Sequence, residues 1–318
     1  MPTAALLKDI NTLNAGSDPS IPVELNGRLY FFADDGVHGR EFWSTDGSAS
    51  QLVKDINPGP GGSNSGSDLM AAGGRLFFTA DDGIHGQELW TSDGTATGTH
   101  LVKDINPSSA PSPQYTTGTG PIYLSELDGG IAFLADDGVH GRELWVSDGT
   151  AAGTHMVEDI NPGPAPLVPT TTDNMMMYFP SLATSGGKVY FAADDGTHGV
   201  EPWVSDGTAA GTHLVKDLNA GAPGSFPQGM MAIGGKVYFS GRVGTDWKQW
   251  VTDGTAGGTK ESAIQPQPGG GTINGKSVFA AFSSSGSQLW AASGTAAPSI
   301  IHDFGNVTGA AGAFVPFN

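Results

Sequence analysis

Two carboxylates, an imidazole and a glutamate fall within eight residues in the stretch DDGIHGQE, as Asp81, Asp82, His85 and Glu88. Oxygen-rich loops of this kind suit Ca²⁺, which prefers carboxylate and carbonyl ligands. Gly83 and Gly86 permit the tight backbone path that such a loop needs. Against this, the D-x-D-x-D ladder with a terminal bidentate Glu is missing, and imidazole is a poor ligand for Ca²⁺. The competing reading is a hairpin turn whose first Asp accepts backbone N–H groups while the His bonds a neighbouring unit. The pattern occurs four times, so the candidate metal ligands are Asp34 and Asp35, Asp81 and Asp82, Asp136 and Asp137, and Asp194 and Asp195. Ca²⁺ is the one cofactor these residues suggest.

The histidines repeat as well. His38, His85, His140 and His198 lie in the acidic turns, His100, His155 and His213 open later strands, and His302 lies near the end. Such placement argues against one catalytic histidine, and no Ser or Cys nucleophile pairs with a unique His and Asp. No catalytic residue is therefore expected. The glycine-rich GPGGSNSG after Pro58 precedes no helix and no P-loop lysine, which speaks against a phosphate cradle.

The elements that carry these residues are set by a long repeat. The stretch from Asp81 to Asn106 returns from Asp136 to Asn161 and from Asp194 to Asn219, and more loosely from Asp34 to Asn57. Each unit reads as four strands: a short first strand, a turn such as Asn26-Gly27 or Gly129-Gly130, an apolar strand such as Arg28 to Ala33, the acidic turn, a Trp-bearing strand and a last strand ending in KDIN. The central tryptophans, Trp43, Trp90, Trp145, Trp203, Trp250 and Trp290, are 47, 55, 58, 47 and 40 residues apart. That is the period of propeller blades. The expected fold is an all-β propeller of four-stranded antiparallel blades in one domain over residues 1–318. Six blades fit best and seven are possible, with the ring closed by terminal strands at Leu6 to Ile10 and Ala313 to Phe317. Units from about residue 226 onward are degenerate.

The Trp in each third strand is expected to wedge between blades. The following Asp-Gly-Thr is expected to form a side-chain-capped turn, and the KDIN Asp to accept turn N–H groups.

The segments ELWTSDGT at Glu88, ELWVSDGT at Glu143 and EPWVSDGT at Glu201, with flanking ADDGxHG and LVKDINPG, resemble the bacterial repeat family named for the pattern ELWxxDGT. The resemblance is strong over the first four units and weak over the last two. It implies a propeller-like surface or secreted protein and no known chemistry.

Composition limits the partners. With a net charge of −18 the chain repels phosphate backbones and anionic lipid heads, so neither nucleic acid nor membrane insertion is expected. The 49 glycines and 21 prolines disfavour long helices, and the lack of cysteine removes disulfides and thiolate metal sites. The first ten residues carry no signal-peptide pattern, which suggests a trimmed or mature fragment.

Two long insertions do not repeat, from Ser108 to Tyr123 and from Gly163 to Pro180. Strand order places them on the same side as the acidic turns. They carry Tyr115, Tyr123, Met175, Met176, Met177, Tyr178 and Phe179, a candidate apolar and aromatic binding lip. The leading expectation is a non-enzymatic secreted or cell-surface module that binds a glycan or protein, with Ca²⁺ assisting; oligomeric state is left open. The alternatives are a propeller hydrolase or lyase with a carboxylate or metal site near the channel, and a structural segment of a larger adhesin.

Overall fold

The computed structural model describes residues 8–13, 16–64, 68–107, 120–162, 182–221, 224–267, 271–283, 286–294, 296 and 298–303. Two compact units divide the chain, Met1–Pro166 and Leu167–Asn318. The first holds three sheets. Blade 1 consists of β1 (Val23–Leu25), β2 (Arg28–Asp34), β3 (Arg40–Thr45) and β4 (Ser50–Lys54). Blade 2 consists of β5 (Met70–Ala72), β6 (Arg75–Asp81), β7 (Gln87–Ser92) and β8 (His100–Lys103). Blade 3 consists of β9 (Ile122–Leu127), β10 (Gly130–Asp136), β11 (Arg142–Ser147) and β12 (His155–Met156).

The second unit holds three more. Blade 4 has β13 (Ala183–Ser185), β14 (Lys188–Asp194), β15 (Val200–Ser205) and β16 (His213–Leu214). Blade 5 has β17 (Gln228–Ile233), β18 (Lys236–Val243), β19 (Asp246–Thr252) and β20 (Lys260–Glu261). In blade 6, β21 (Gln265–Pro266) and β22 (Gly271–Ile273) both pair with β23 (Lys276–Ser283), followed by β24 (Gly286–Ser293) and β25 (Ser299–Asp303). Among the described residues the first five sheets are antiparallel meanders in chain order, and in blade 6 two short strands share the outer edge of β23. Lys8 to Ile10 form no strand, and Leu6 and residues 313–317, assigned above to closing strands, lie outside the described residues.

Local sequence explains each hairpin. The turns between first and second strands put both central residues at positive φ, as at Asn26 (52°) and Gly27 (78°), which is the type I′ geometry matched to strand twist. In blade 3 this turn is centred on Asp128 and Gly129, one residue earlier than expected, because Gly130 already pairs with Leu127. The second strands are apolar on both faces. Phe32, Phe78 and Ala80 are buried in the core between blades 1 and 2 and Phe77 in that between blades 2 and 3, while Phe31 and Ala33 are covered by Trp43, Leu52 and Ile10.

Trp90, Trp145 and Trp250 wedge between blades as expected, whereas Trp43 packs with Phe31 and Ala33 of its own blade and with Ile10. Trp90 of blade 2 packs with Leu25, Phe32, Phe42 and Val53 of blade 1, Trp145 with Phe77 and Val102 of blade 2, and Trp250 with blade 4. Burial of so large an apolar group is worth on the order of 2–3 kcal/mol. A lysine of the KDIN or KDLN segment that precedes the blade lies over the indole. Lys54 Nζ lies 5.9 Å from the Trp90 ring centroid and donates to the Thr99 carbonyl at 2.7 Å. Lys103 does the same over Trp145 (5.6 Å) to Thr154, Lys216 over Trp250 (6.0 Å) to Thr259, and Lys8 over Trp43 (5.6 Å) to Ser50. The ammonium gains a cation–π contact and a carbonyl, and it seals the indole edge. Blade 5 has Ala263 where this lysine would stand, and Trp290 of blade 6 is only half-buried.

The Asp-Gly-Thr turns are self-contained. Asp93 Oδ1 accepts from the Thr95 N–H (2.8 Å) and hydroxyl (2.7 Å), and the Ser92 and Thr99 hydroxyls bond each other at 2.7 Å beneath it. Those Thr95 donors hold the Asp93 carboxyl below the usual range. Gly94, at φ 92°, is needed for close approach as well as for the turn, since a Cβ there would overlap the Tyr30 hydroxyl of blade 1. Asp148, Asp206 and Asp253 repeat the arrangement in blades 3 to 5.

Candidate functional site

The acidic turns bond mainly to themselves. Asp81 Oδ1 accepts from the Gly83 N–H at 2.7 Å, and Asp82 Oδ1 accepts from the Ile84 and His85 N–H groups, both at 2.9 Å. Asp82 Oδ2 pairs with His85 Nδ1 at 2.8 Å. The expected first-Asp contact is present, the second Asp does more, and the His pairs within its own turn. The same bonds recur for Asp34, Asp35 and His38, for Asp136, Asp137 and His140, and for Asp194, Asp195 and His198. The paired Asp raises each imidazole's pKa, as the Asp82 carboxylate does for His85. Burial pushes Asp82 upward, yet the His85 N–H and imidazole and the Ile84 N–H outweigh it and leave the group below its ordinary value.

Behind each turn a glutamate is fully buried. Glu41 accepts from the Ile56 N–H (2.8 Å), the Asn57 N–H (3.2 Å) and the Ser63 hydroxyl (2.7 Å). Glu201 accepts from Leu218, Asn219 and the Ser225 N–H and hydroxyl, while Glu88 holds the Asn106 N–H and Glu143 the Ile160 N–H. The ELW glutamate therefore pins the end of the KDIN strand in its own blade. Burial raises Glu41 and Glu88 to about 7 and Glu143 to about 8, and it raises Glu201 too. The KDIN aspartates Asp55, Asp104 and Asp159 keep a buried Oδ1 with no hydrogen-bond partner among the described residues. Among those residues, no group of three or more His, Cys, Asp or Glu is set to hold a metal ion.

Of the aromatic lip only Tyr123 can be placed. It stands in β9 at φ 56°, half-buried, and burial raises its hydroxyl pKa. Tyr115, Met175, Met176, Met177, Tyr178 and Phe179 lie outside the described residues.

A concave feature appears instead in blade 5, where the repeat degenerates. The β18–β19 hairpin pairs out to Val243 and Asp246, and Trp247 beside its tip is 49% exposed. A cleft of about 550 Å³ is lined by Gln228, Gly229, Ser240, Trp247, Gln249 and Gln265. Its one advance signal was that Trp247 is the seventh tryptophan, outside the series of six that marks the blades.

No protein-family model and no curated protein matches the sequence. Among solved structures, the chain is similar to one from a study of two prolyl endopeptidases, with a TM-score of 0.50 at 12% identity over 90% of this chain and 43% of that one. It is also similar to oligopeptidase B from Leishmania major, with a TM-score of 0.50 at 10% identity over 89% of this chain and 40% of that one. The β-propeller domain of the Trilobed protease from Pyrococcus furiosus aligns with a TM-score of 0.45 at 10% identity, over 90% of this chain and 82% of that one. The chain spans less than half the length of the first two.

The fold class is an all-β propeller whose described residues form six antiparallel sheets, five of four strands and one, blade 6, of five. At such identities the likeness establishes the fold alone. The expectation of a non-enzymatic module for glycan or protein capture is corrected here: the two structures aligned at a TM-score of 0.50 over about nine-tenths of the chain are of peptidases.

Proposed function

We propose that this chain serves a peptide hydrolase, as a propeller that receives and positions the peptide. The observation that carries the reading is the shared fold with the prolyl endopeptidase and oligopeptidase B structures over about nine-tenths of the chain. The study of the prolyl endopeptidases ties inter-domain dynamics to their catalysis and specificity. Peptide hydrolysis needs one nucleophile with one base and one set of oxyanion donors. The Asp–His pairs have the form of a base with its orienting carboxylate, but four equivalent copies occur in four blades, each tied into its own turn. That makes them folding elements first. In this reading, the groups that break the peptide bond belong to other parts of the protein.

The test is to incubate the full-length protein that carries this chain with a library of internally quenched peptides. Cleavage of a subset is expected, and a His85→Ala variant should retain it. Failure to cleave any peptide across the library would overturn the proposal.

A further inference from the structure

Blade 5 keeps its sheet, its Asp253-Gly254-Thr255 turn and its lysine-capped Trp250, yet it departs from the other blades at one end. Strand β17 is bulged, its register with β18 slipping between Gln228 and Met231. Within the bulge Gly229 sits at φ 65°, and a Cβ built there would meet nothing within 4 Å. Bulges re-aim side chains and interrupt pairing, and they are over-represented beside functional sites. Opposite the bulge, β21 leaves blade 5 and pairs with β23, Gln265 opposing Phe282. The cleft of about 550 Å³ opens between these walls, with Trp247 at its rim, and a smaller hollow of about 170 Å³ reaches Tyr238.

Its chemistry is neutral in a chain of net charge −18. The six lining residues include no charged side chain, so nothing in the wall would hold an anion or a cation. The nearest ion pair, Lys248 with Glu261, is satisfied internally. Three primary amides and a hydroxyl face the cleft instead. Gln249 Nε2 donates to Ser240 Oγ at 2.8 Å, which fixes that amide and leaves its Oε1 to accept. The side-chain amides of Gln228 and Gln265 make no hydrogen bond among the described residues. Each primary amide offers a donor pair and an acceptor, the complement of a peptide's alternating C=O and N–H groups. The exposed indole adds a flat apolar face for a ring.

We propose that this cleft binds an uncharged peptide segment, its backbone amides paired with Gln228, Gln249 and Gln265 and a proline or aromatic ring set against Trp247. The inference rests on the reading of the chain as part of a peptide hydrolase, and it names where that peptide is held.

The experiment titrates the 318-residue chain with short acetylated and amidated peptides, alanine-based with one central Pro or Phe, by calorimetry. Trp247→Ala should weaken binding about ten-fold and Gln265→Ala about three- to ten-fold, both with unchanged melting temperature because both side chains are exposed. Ile84→Ala, an exposed change in blade 2, should leave affinity unaltered. The inference is overturned if no such peptide binds, if neither cleft variant weakens binding, or if a neutral oligosaccharide displaces the peptide from Trp247. Cleavage by the full-length protein separates the two proposals. Cleavage with a KM insensitive to Trp247→Ala removes the cleft assignment and leaves the hydrolase standing, whereas no cleavage removes the hydrolase.

Discussion

Blades 2 and 5 carry the same sheet and the same capped Trp, but they spend their polar residues differently. In blade 2 the Asp82–His85 pair closes the turn, and Glu88, buried two residues before Trp90, holds the KDIN backbone. In blade 5 the turn sequence is lost, Lys248 stands where the glutamate would be, and Lys248 faces solvent beside Glu261. The Thr252–Thr259 hydroxyl pair, the Asp253 turn and Lys216 over Trp250 are all retained. The two blades thus share the Trp, the lysine lid and the Asp-Gly-Thr turn. The acidic cluster is an added device that pins the crossover, and where it is missing the wall opens into an amide-lined cleft.

The contrast can be broken by substitution. Trp90→Ala should cost about 3–5 kcal/mol in denaturant unfolding, since it empties a packed wedge, while Trp247→Ala should stay within about 0.5 kcal/mol. Equal losses at the two sites would erase the distinction between packed and exposed indoles.

Blade 2 should also impose a pH dependence that blade 5 lacks. Glu88 has a folded pKa raised to about 7, with His85 and Asp104 as its charged neighbours, so its contribution is full below the unfolded value near 4.5 and is lost as pH rises through about 7. Glu41 beside Asp55, Glu143 beside Asp159 and Glu158, and Glu201 beside Asp217 act with the same sign. The raised imidazoles add to the loss at higher pH, whereas the lowered Asp35, Asp82, Asp137 and Asp195 lose their contribution as pH falls through their depressed values. Unfolding measured against pH should therefore show stability falling from mildly acidic pH toward pH 8. Glu88→Gln should flatten that fall by on the order of 1–3 kcal/mol, and Lys248→Gln in blade 5 should leave it unchanged.

Lys54→Ala should cost about 1–2 kcal/mol through the lost lid over Trp90 and the lost bond to Thr99, read by thermal unfolding. The smallest effect expected is from EDTA or added Ca²⁺. The oxygens of Asp82 already bond the turn, so the melting temperature should not move, and a rise with Ca²⁺ would show that the turns bind it.

The blades were legible because their signals are local and periodic. Asn26-Gly27, the apolar Arg28 to Ala33 run and the 47-residue Trp spacing each report on one hairpin or one wedge. What escaped depends on contacts distant in sequence. The Lys54 lid reaches a carbonyl 45 residues on, and Glu88 bonds a backbone N–H 18 residues away, so neither partner shows in a local pattern. The pairing of His85 with Asp82 is the exception, a contact only three residues apart. The cleft was the least legible feature, since it arises from a bulge at Gly229 and from amides that follow no period.

Hydrogen–deuterium exchange with and without an uncharged proline- or phenylalanine-bearing peptide tests most directly whether function lies in the degenerate blade rather than in the repeat. New protection confined to residues 228–249 and 265–267 is the predicted result. Protection on the acidic turns at 34–38, 81–85, 136–140 and 194–198 with none in blade 5 would contradict it.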